Sequence, residues 1–271
     1  MNDPSESAAG YSASAEVGDV RIRRSRTERT WLALKKAPLS AWFGMIVVAA
    51  YVMVALFAPW LAPYGEAQIF AEPFAPWNET HRFGTDQIGR DILTRLIYGA
   101  RNTMGIALVT TLLSFLIGGG LGLVAAINRS WLDQLLSRTV DVLMAIPSLI
   151  FALVLLSIFK PSVVSLILII AVLDSTRVFR LTRAVAINVV VMDYVEAARL
   201  RGEKLGWIMK KEILPNIMPP LVAEFGLRFS FVFLTIAALS FLGVGIQPPT
   251  ADWGSMAVSY THLTLPTICS V

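Results

Sequence analysis

Thr103-Met-Gly-Ile-Ala-Leu-Val-Thr-Thr-Leu-Leu-Ser-Phe-Leu-Ile-Gly-Gly-Gly-Leu-Gly-Leu-Val-Ala-Ala-Ile127 runs for 25 residues without a charge. Coiled as a helix, such a run crosses the roughly 30 Å of hydrocarbon in a bilayer. Comparable apolar runs lie at about 41–62, 138–158 and 217–245. A further run, Val163 to Leu173, is too short alone and must continue through Asp174 and Arg177 to span. Of the 271 residues, 55% are hydrophobic and only 15% are charged, with a mean hydropathy of +0.64. A soluble domain carries about a quarter charged residues, so the missing charge points to lipid as solvent. These features predict an all-α membrane protein, a polytopic helical bundle with about five spans.

The composition also excludes chemistry. Cys269 is the only cysteine, and His81 and His262 are the only histidines. Cys/His metal clusters, disulfide frameworks and Cys/His or Ser/His catalysis therefore have no residues to build on, and no catalytic, metal or cofactor site is expected. His81 alone reads as a loop residue. No G-x-x-x-x-G-K-[ST] phosphate loop occurs, so ATP is not bound by that route. Basic residues sit beside the spans, which speaks for topology and against nucleic acid as a partner.

Charge sets the expected orientation. Seven basic residues, Arg21, Arg23, Arg24, Arg26, Arg29, Lys35 and Lys36, precede the first span, which places the N-terminus in the cytosol. Residues 1–39 read as a cytosolic tail, polar and Ser/Ala-rich over its first thirty residues, with no secretory cleavage pattern. Alternation then puts 63–102 outside and 184–216 inside, and the latter is rich in Arg and Lys. The segment Gly89 to Ala100 reads as an amphipathic helix lying on the outer interface. Pro147 is expected to kink the third span, and Gly118-Gly-Gly120 with Gly122 to allow close helix packing.

Within the cytosolic interval, Asp193-Tyr-Val-Glu-Ala-Ala-Arg-Leu-Arg-Gly202 has the marks of a short helix. Asp193 and Glu196 have capping-box spacing, Arg199 and Arg201 suit the C-terminal end, and Gly202 suits a left-handed stop. A second helical stretch, Glu203 to Leu214, is expected to stop at Pro215, with Asn216 capping the next span. Two charge pairs lie at depth: Asp174 with Arg177, three apart, and Glu224 with Arg228, four apart. Either they face the bundle or a translocation path, or they are intrahelical pairs near the cytosolic boundary with snorkelling arginines. The stepping of Arg177, Arg180 and Arg183 toward the cytosol favours the second alternative.

Glu196-Ala-Ala, Gly202 and Leu214-Pro215, in that order, resemble the EAA loop of ABC importer permeases. Phe83-Gly-Thr-Asp-Gln-Ile-Gly-Arg-Asp91 with Tyr98-Gly-Ala-Arg101, and Leu239-Ser-Phe-Leu-Gly-Val-Gly-Ile-Gln-Pro-Pro249 with Asp252-Trp-Gly254, resemble motifs of the dipeptide/oligopeptide/nickel type. The resemblance covers about residues 40–256. It implies a type I importer permease of six spans, five of them in this chain: 40–102 as first span plus outer loop, and 103–256 as permease core. It also implies partners: a second permease subunit, two cytosolic ATP-binding subunits and an extracytoplasmic substrate-binding protein, all around a bacterial inner membrane. The joint to the ATPase would comprise Asp193, Tyr194, Glu196, Ala197, Ala198, Arg199, Gly202, Leu214 and Pro215. One departure is Asp174-Ser-Thr-Arg177, where many relatives have a Trp-containing turn.

A secondary transporter or channel using embedded charges is the alternative, but such a carrier has no use for an EAA-type helix. Residues 257–271 break the pattern. The codons GTC TCT TAT ACA CAT CTG ACG CTG CCG ACG of a sequencing adapter would encode Val258 to Thr267, so this tail is expected to be non-native.

Overall fold

The computed structural model describes residues 35, 37–70, 73–128, 130–159 and 162–258. The expected N-terminal tail with its arginines, and all but the start of the 257–271 tail, lie outside the described residues. The chain divides into two units, residues 1–48 and 49–271. Among the described residues the first unit holds little more than the start of helix α1, and the architecture below is that of the second.

Helices account for the described spans, and among the described residues the only bridge between extended segments joins Thr85 and Asp91. In order they are α1 (Leu39–Leu56), the single turn α2 (Ala58–Leu61), α3 (Ile92–Ile127), α4 (Trp131–Ala145), α5 (Ser148–Ile158), α6 (Val163–Val190), α7 (Asp193–Leu200), α8 (Leu205–Ile208) and α9 (Leu214–Phe241). Helix α1, helix α3 and the continuous stretch Leu205–Phe241 are each long and apolar enough to cross a membrane, and α4 with α5 would make a fourth, bent span. Helix α6 has the length, with 28 residues, but carries Asp174, Arg177, Arg180 and Arg183. The protein is an all-α membrane protein.

Several expectations change in the structure. Helix α3 has 36 residues, roughly 54 Å at 1.5 Å per residue. The stretch from Ile92 to Ala100 is therefore the N-terminal part of the same long helix and not a separate amphipathic helix. Its buried face is Thr94, Arg95, Gly99 and Ala100, whereas Leu96 is exposed. At Pro147 the chain does more than kink: α4 and α5 meet at 89°. Ile146, held extended at φ −90°, ψ 131°, has the conformation that a following proline ring imposes.

Pro215 does not stop a helix either. Residues Met209–Ile213 form one π turn, and the backbone stays helical from Leu205 through Pro215 into α9. The wider turn accommodates a residue that has no N–H to donate. Asn216 is not a cap but lies inside α9, where its side-chain amide donates to the Glu212 carbonyl at 2.6 Å.

The bundle is held by α3 against α6. A Cβ on Gly118 would stand 2.3 Å from the Ser175 carbonyl oxygen, and one on Gly122 would stand 2.9 Å from that of Phe179. These two glycines, one helical turn apart, let the backbones touch. Ser114 adds a hydrogen bond to the Ala171 carbonyl at 3.1 Å. Beside this seam one apolar cluster gathers Leu123, Ala126, Ala186, Val190, Val195, Ala198, Ile208, Ile213 and Ile217 beneath α7. Another, with Ala107, Leu156, Leu166, Ile236 and Leu239, fills the opposite half.

Candidate functional site

Helix α7 is built as a small rigid platform. Its N-cap is Met192 and no side chain caps it, so the capping box expected from Asp193 and Glu196 does not form. Asp193 falls inside the first turn, where its charge still suits the positive helix end. The C-terminal end follows the sequence more closely. Gly202 has φ +78°, its N–H donates to Arg199 O at 2.9 Å, and the Glu203 N–H donates to Ala198 O at 3.2 Å. That pair of bonds is a Schellman stop, which satisfies the last carbonyls and needs a left-handed residue.

The two faces of α7 differ. Val195 and Ala198 are fully buried in the apolar cluster. Tyr194, Glu196, Ala197 and Arg199 are exposed, and Leu200 is 83% exposed. Glu196, Arg199 and Leu200 also form one wall of an open cleft of about 550 Å³, closed by Ile127, Val190 and Val191 at the ends of α3 and α6. Ala198, expected with them at the joint, instead lies on the buried face, in the apolar cluster with Ile208, Ile213 and Ile217. Leu214 packs against the same cluster, whereas Pro215 is exposed.

Both expected intrahelical pairs are present, Asp174 with Arg177 and Glu224 with Arg228, and a contact between Arg228 and Asp174 joins them into one group. Arg228 of α9 reaches across to α6, with Nη1 3.5 Å from Asp174 Oδ1, while its Nε lies 2.7 Å from Glu224 Oε1. Arg177 adds a longer contact to the same Asp174 oxygen, 3.8 Å. The Arg228 guanidinium also stacks over Phe231, 4.8 Å from the ring centre. Asp174 is 5% exposed, and its Oδ2 has no hydrogen-bond donor among the described residues. The arginines that step along α6 have partners of their own on α4: Arg180 Nη2 to Asp141 at 2.6 Å and Arg183 Nη2 to Asp133 Oδ2 at 2.7 Å.

A polar lock that sequence reasoning missed lies at the other end of α3. Asp91 caps α3 through Thr94 N (2.8 Å) and Thr94 Oγ1 (2.7 Å), and also meets His81 Nδ1 at 3.0 Å. Asp86 accepts from the backbone of Ile88 and Arg90 and from Arg90 Nε at 2.8 Å. Arg95 then reaches Pro249 O at 3.3 Å, and Trp253 Nε1 donates to Leu96 O at 2.9 Å. Glu66 accepts from Asn102 Nδ2 (2.8 Å) and from Ala251 N (2.6 Å), while Thr103 Oγ1 donates to Asp252 at 3.0 Å. The two motifs noted at 83–101 and 239–254 are thus the two halves of one clasp. Their shared polar residues were the visible signal, but nothing in either stretch names the other as its partner.

Residues 118–271 match the family described as binding-protein-dependent transport system inner membrane component, and residues 25–87 match the N-terminal TM domain of oligopeptide transport permease C. The chain is 39% identical over 223 residues to the di/tripeptide transport system permease protein DppC of Pseudomonas aeruginosa (strain UCBPP-PA14), covering 80% of this chain and 74% of that one. It is 40% identical over 220 residues to the dipeptide transport system permease protein DppC of Escherichia coli (strain K12), covering 79% and 73%. The putative peptide transport system permease protein BRA1093/BS1330_II1085 of Brucella suis biovar 1 (strain 1330) is 37% identical over 214 residues, 79% of this chain and 72% of that one. The chain belongs to the binding-protein-dependent transport inner membrane components, the multi-pass permease subunits of bacterial ABC importers, which have no ATPase site of their own.

Proposed function

We propose that this chain carries peptides across the bacterial inner membrane, as one of two permease subunits driven by two cytosolic ATPases that grip α7. An extracytoplasmic binding protein delivers the peptide at the clasp, and the N-terminus lies in the cytosol. The observation that carries this reading is the construction of α7. A helix seated by Val195 and Ala198 and stopped by Gly202 presents Tyr194, Glu196, Ala197 and Arg199 outward. Such a helix transmits a push, whereas a flexible loop would absorb it. Its base is the same apolar cluster that holds the ends of α3, α6 and α9, so displacement of α7 is felt by the spans.

The test is co-purification with the ATPase subunits together with ATP-driven peptide uptake. Glu196→Arg reverses an exposed charge and should weaken both by about tenfold. Gly202→Pro cannot adopt φ +78° or donate the N–H that closes the stop, and should uncouple uptake while leaving the span helices intact. Unchanged association and uptake in both variants would overturn the assignment.

A further inference from the structure

The π turn Met209–Ile213 sets which side chains at the start of α9 face the core. Ile208, Ile213, Ile217 and Leu221 are buried in one apolar cluster. From Ile213 onward they follow at four-residue steps, as on one face of an α-helix, but Ile213 comes five positions after Ile208. In an unbroken α-helix the neighbours of Ile208 on that face would be Lys211 and Glu212, and a lysine would enter the cluster. The wider turn takes in one residue more, so Ile213 follows Ile208 inward while Lys210 and Lys211 are both exposed. Neither lysine takes part in an ion pair among the described residues. The adjoining Glu212 is only partly exposed and makes no ion pair with them.

Depth in the membrane follows from length. The continuous stretch Leu205–Phe241 has 37 residues, roughly 55 Å of helix against about 30 Å of hydrocarbon. Part of it must therefore stand in a headgroup layer. Its first charges are Lys210, Lys211 and Glu212, and none follows until Glu224. An unpaired ammonium is costly in hydrocarbon, so the boundary falls near Ile213. Trp207, 37% exposed, and Leu205 precede the lysines by about one turn, and an indole favours the headgroup level. Past the lysines, Met218 and Val222 are exposed on the outward side of α9.

We infer that Lys210, Lys211 and Trp207 form a binding site for an anionic phospholipid. The two ammonium groups meet its phosphate, the indole lies at its headgroup, and its acyl chains run along Met218 and Val222. A zwitterionic lipid offers the same phosphate but brings a cation of its own, so the site prefers the anionic one. Two exposed lysines could also meet an acidic protein surface. Their position at the membrane boundary, with exposed apolar side chains on either side along the helix, favours lipid.

The experiment uses the full chain, purified from its membrane with the subunits bound to it and stripped of lipid. Equal amounts of phosphatidylglycerol and phosphatidylcholine are then added, and native mass spectrometry reads the ratio in which they are retained. Wild type should prefer phosphatidylglycerol, and the double variant Lys210→Gln, Lys211→Gln should lower that preference about tenfold. Arg101→Gln removes an exposed charge near the N-terminal end of α3, whereas the C-terminal end of α3 packs beside Ile208 and Ile213, and it should leave the preference unchanged. Equal retention of the two lipids by wild type, or an unchanged preference in the double variant, would overturn the site. A comparable loss in Arg101→Gln would also overturn it, by making the effect one of net charge. Should the double variant keep its lipid but lose its bound subunits, the lysines serve a protein contact and the lipid site is refuted.

Discussion

Gly118 and Gly120 belong to one run of glycines but sit on opposite faces of α3. A methyl group at 118 would collide with the Ser175 carbonyl and approach Val178, whereas at 120 it meets nothing within 4 Å. Gly118→Ala should therefore destabilise the bundle by about 1–3 kcal/mol, because backbone cannot yield as a side-chain tip can. Gly120→Ala should be neutral or slightly stabilising, since alanine favours the helix. Thermal unfolding of the detergent-solubilised protein separates the two. The run was legible in the sequence as a packing element. Which of its members touch a neighbour was not, because that depends on the rotation of α3 against α6.

For single elements, the helix signals fared unevenly. Gly202 did what a glycine after a charged helix should, and its left-handed φ has open space around it. Gly202→Ala therefore meets no clash but costs about 1 kcal/mol in backbone strain. Faster hydrogen exchange of the α7 amides, with those of α3 unaffected, is the expected readout. The capping box failed because Asp193 begins one position later than the cap, and the first turn is set by burial of Val195 instead. Pro215 failed as a stop because the buried positions Ile208, Ile213 and Ile217 continue past it. Burial of that face outweighs the lost bond, and the π turn takes up the misfit. At Pro147 nothing comparable bridges the break, and the helix turns sharply.

Across the whole molecule, the clasp at the N-terminal end of α3 joins segments that are distant in the chain. Glu66 binds Asn102 and Ala251 at once, so its loss affects both the loop after α2 and the segment after α9. Glu66→Ala should cost about 1–3 kcal/mol by leaving the Ala251 N–H and the Asn102 amide short of an acceptor. A double-mutant cycle with Asn102→Ala, read by thermal unfolding, should show non-additivity of about 0.5 kcal/mol or more. Additive effects would mean that the two residues act separately.

The sequence by itself determined the solvent, the fold class and the short helix that ends at Gly202. Run lengths match the bilayer, and the spacing from Glu196 to Pro215 is local information carried by neighbouring residues. Only the tertiary structure decided that Arg228 answers Asp174 as well as Glu224, that Ala198 faces inward, and that the motifs at 83–101 and 239–254 close on one another. Each of these depends on which face of one helix meets which face of another. A pattern of apolar residues with lipid on one side and protein on the other does not encode that choice, because both surroundings favour the same side chains. Polar partners and glycine contacts make the choice, and their pairing exists only once the chain has folded.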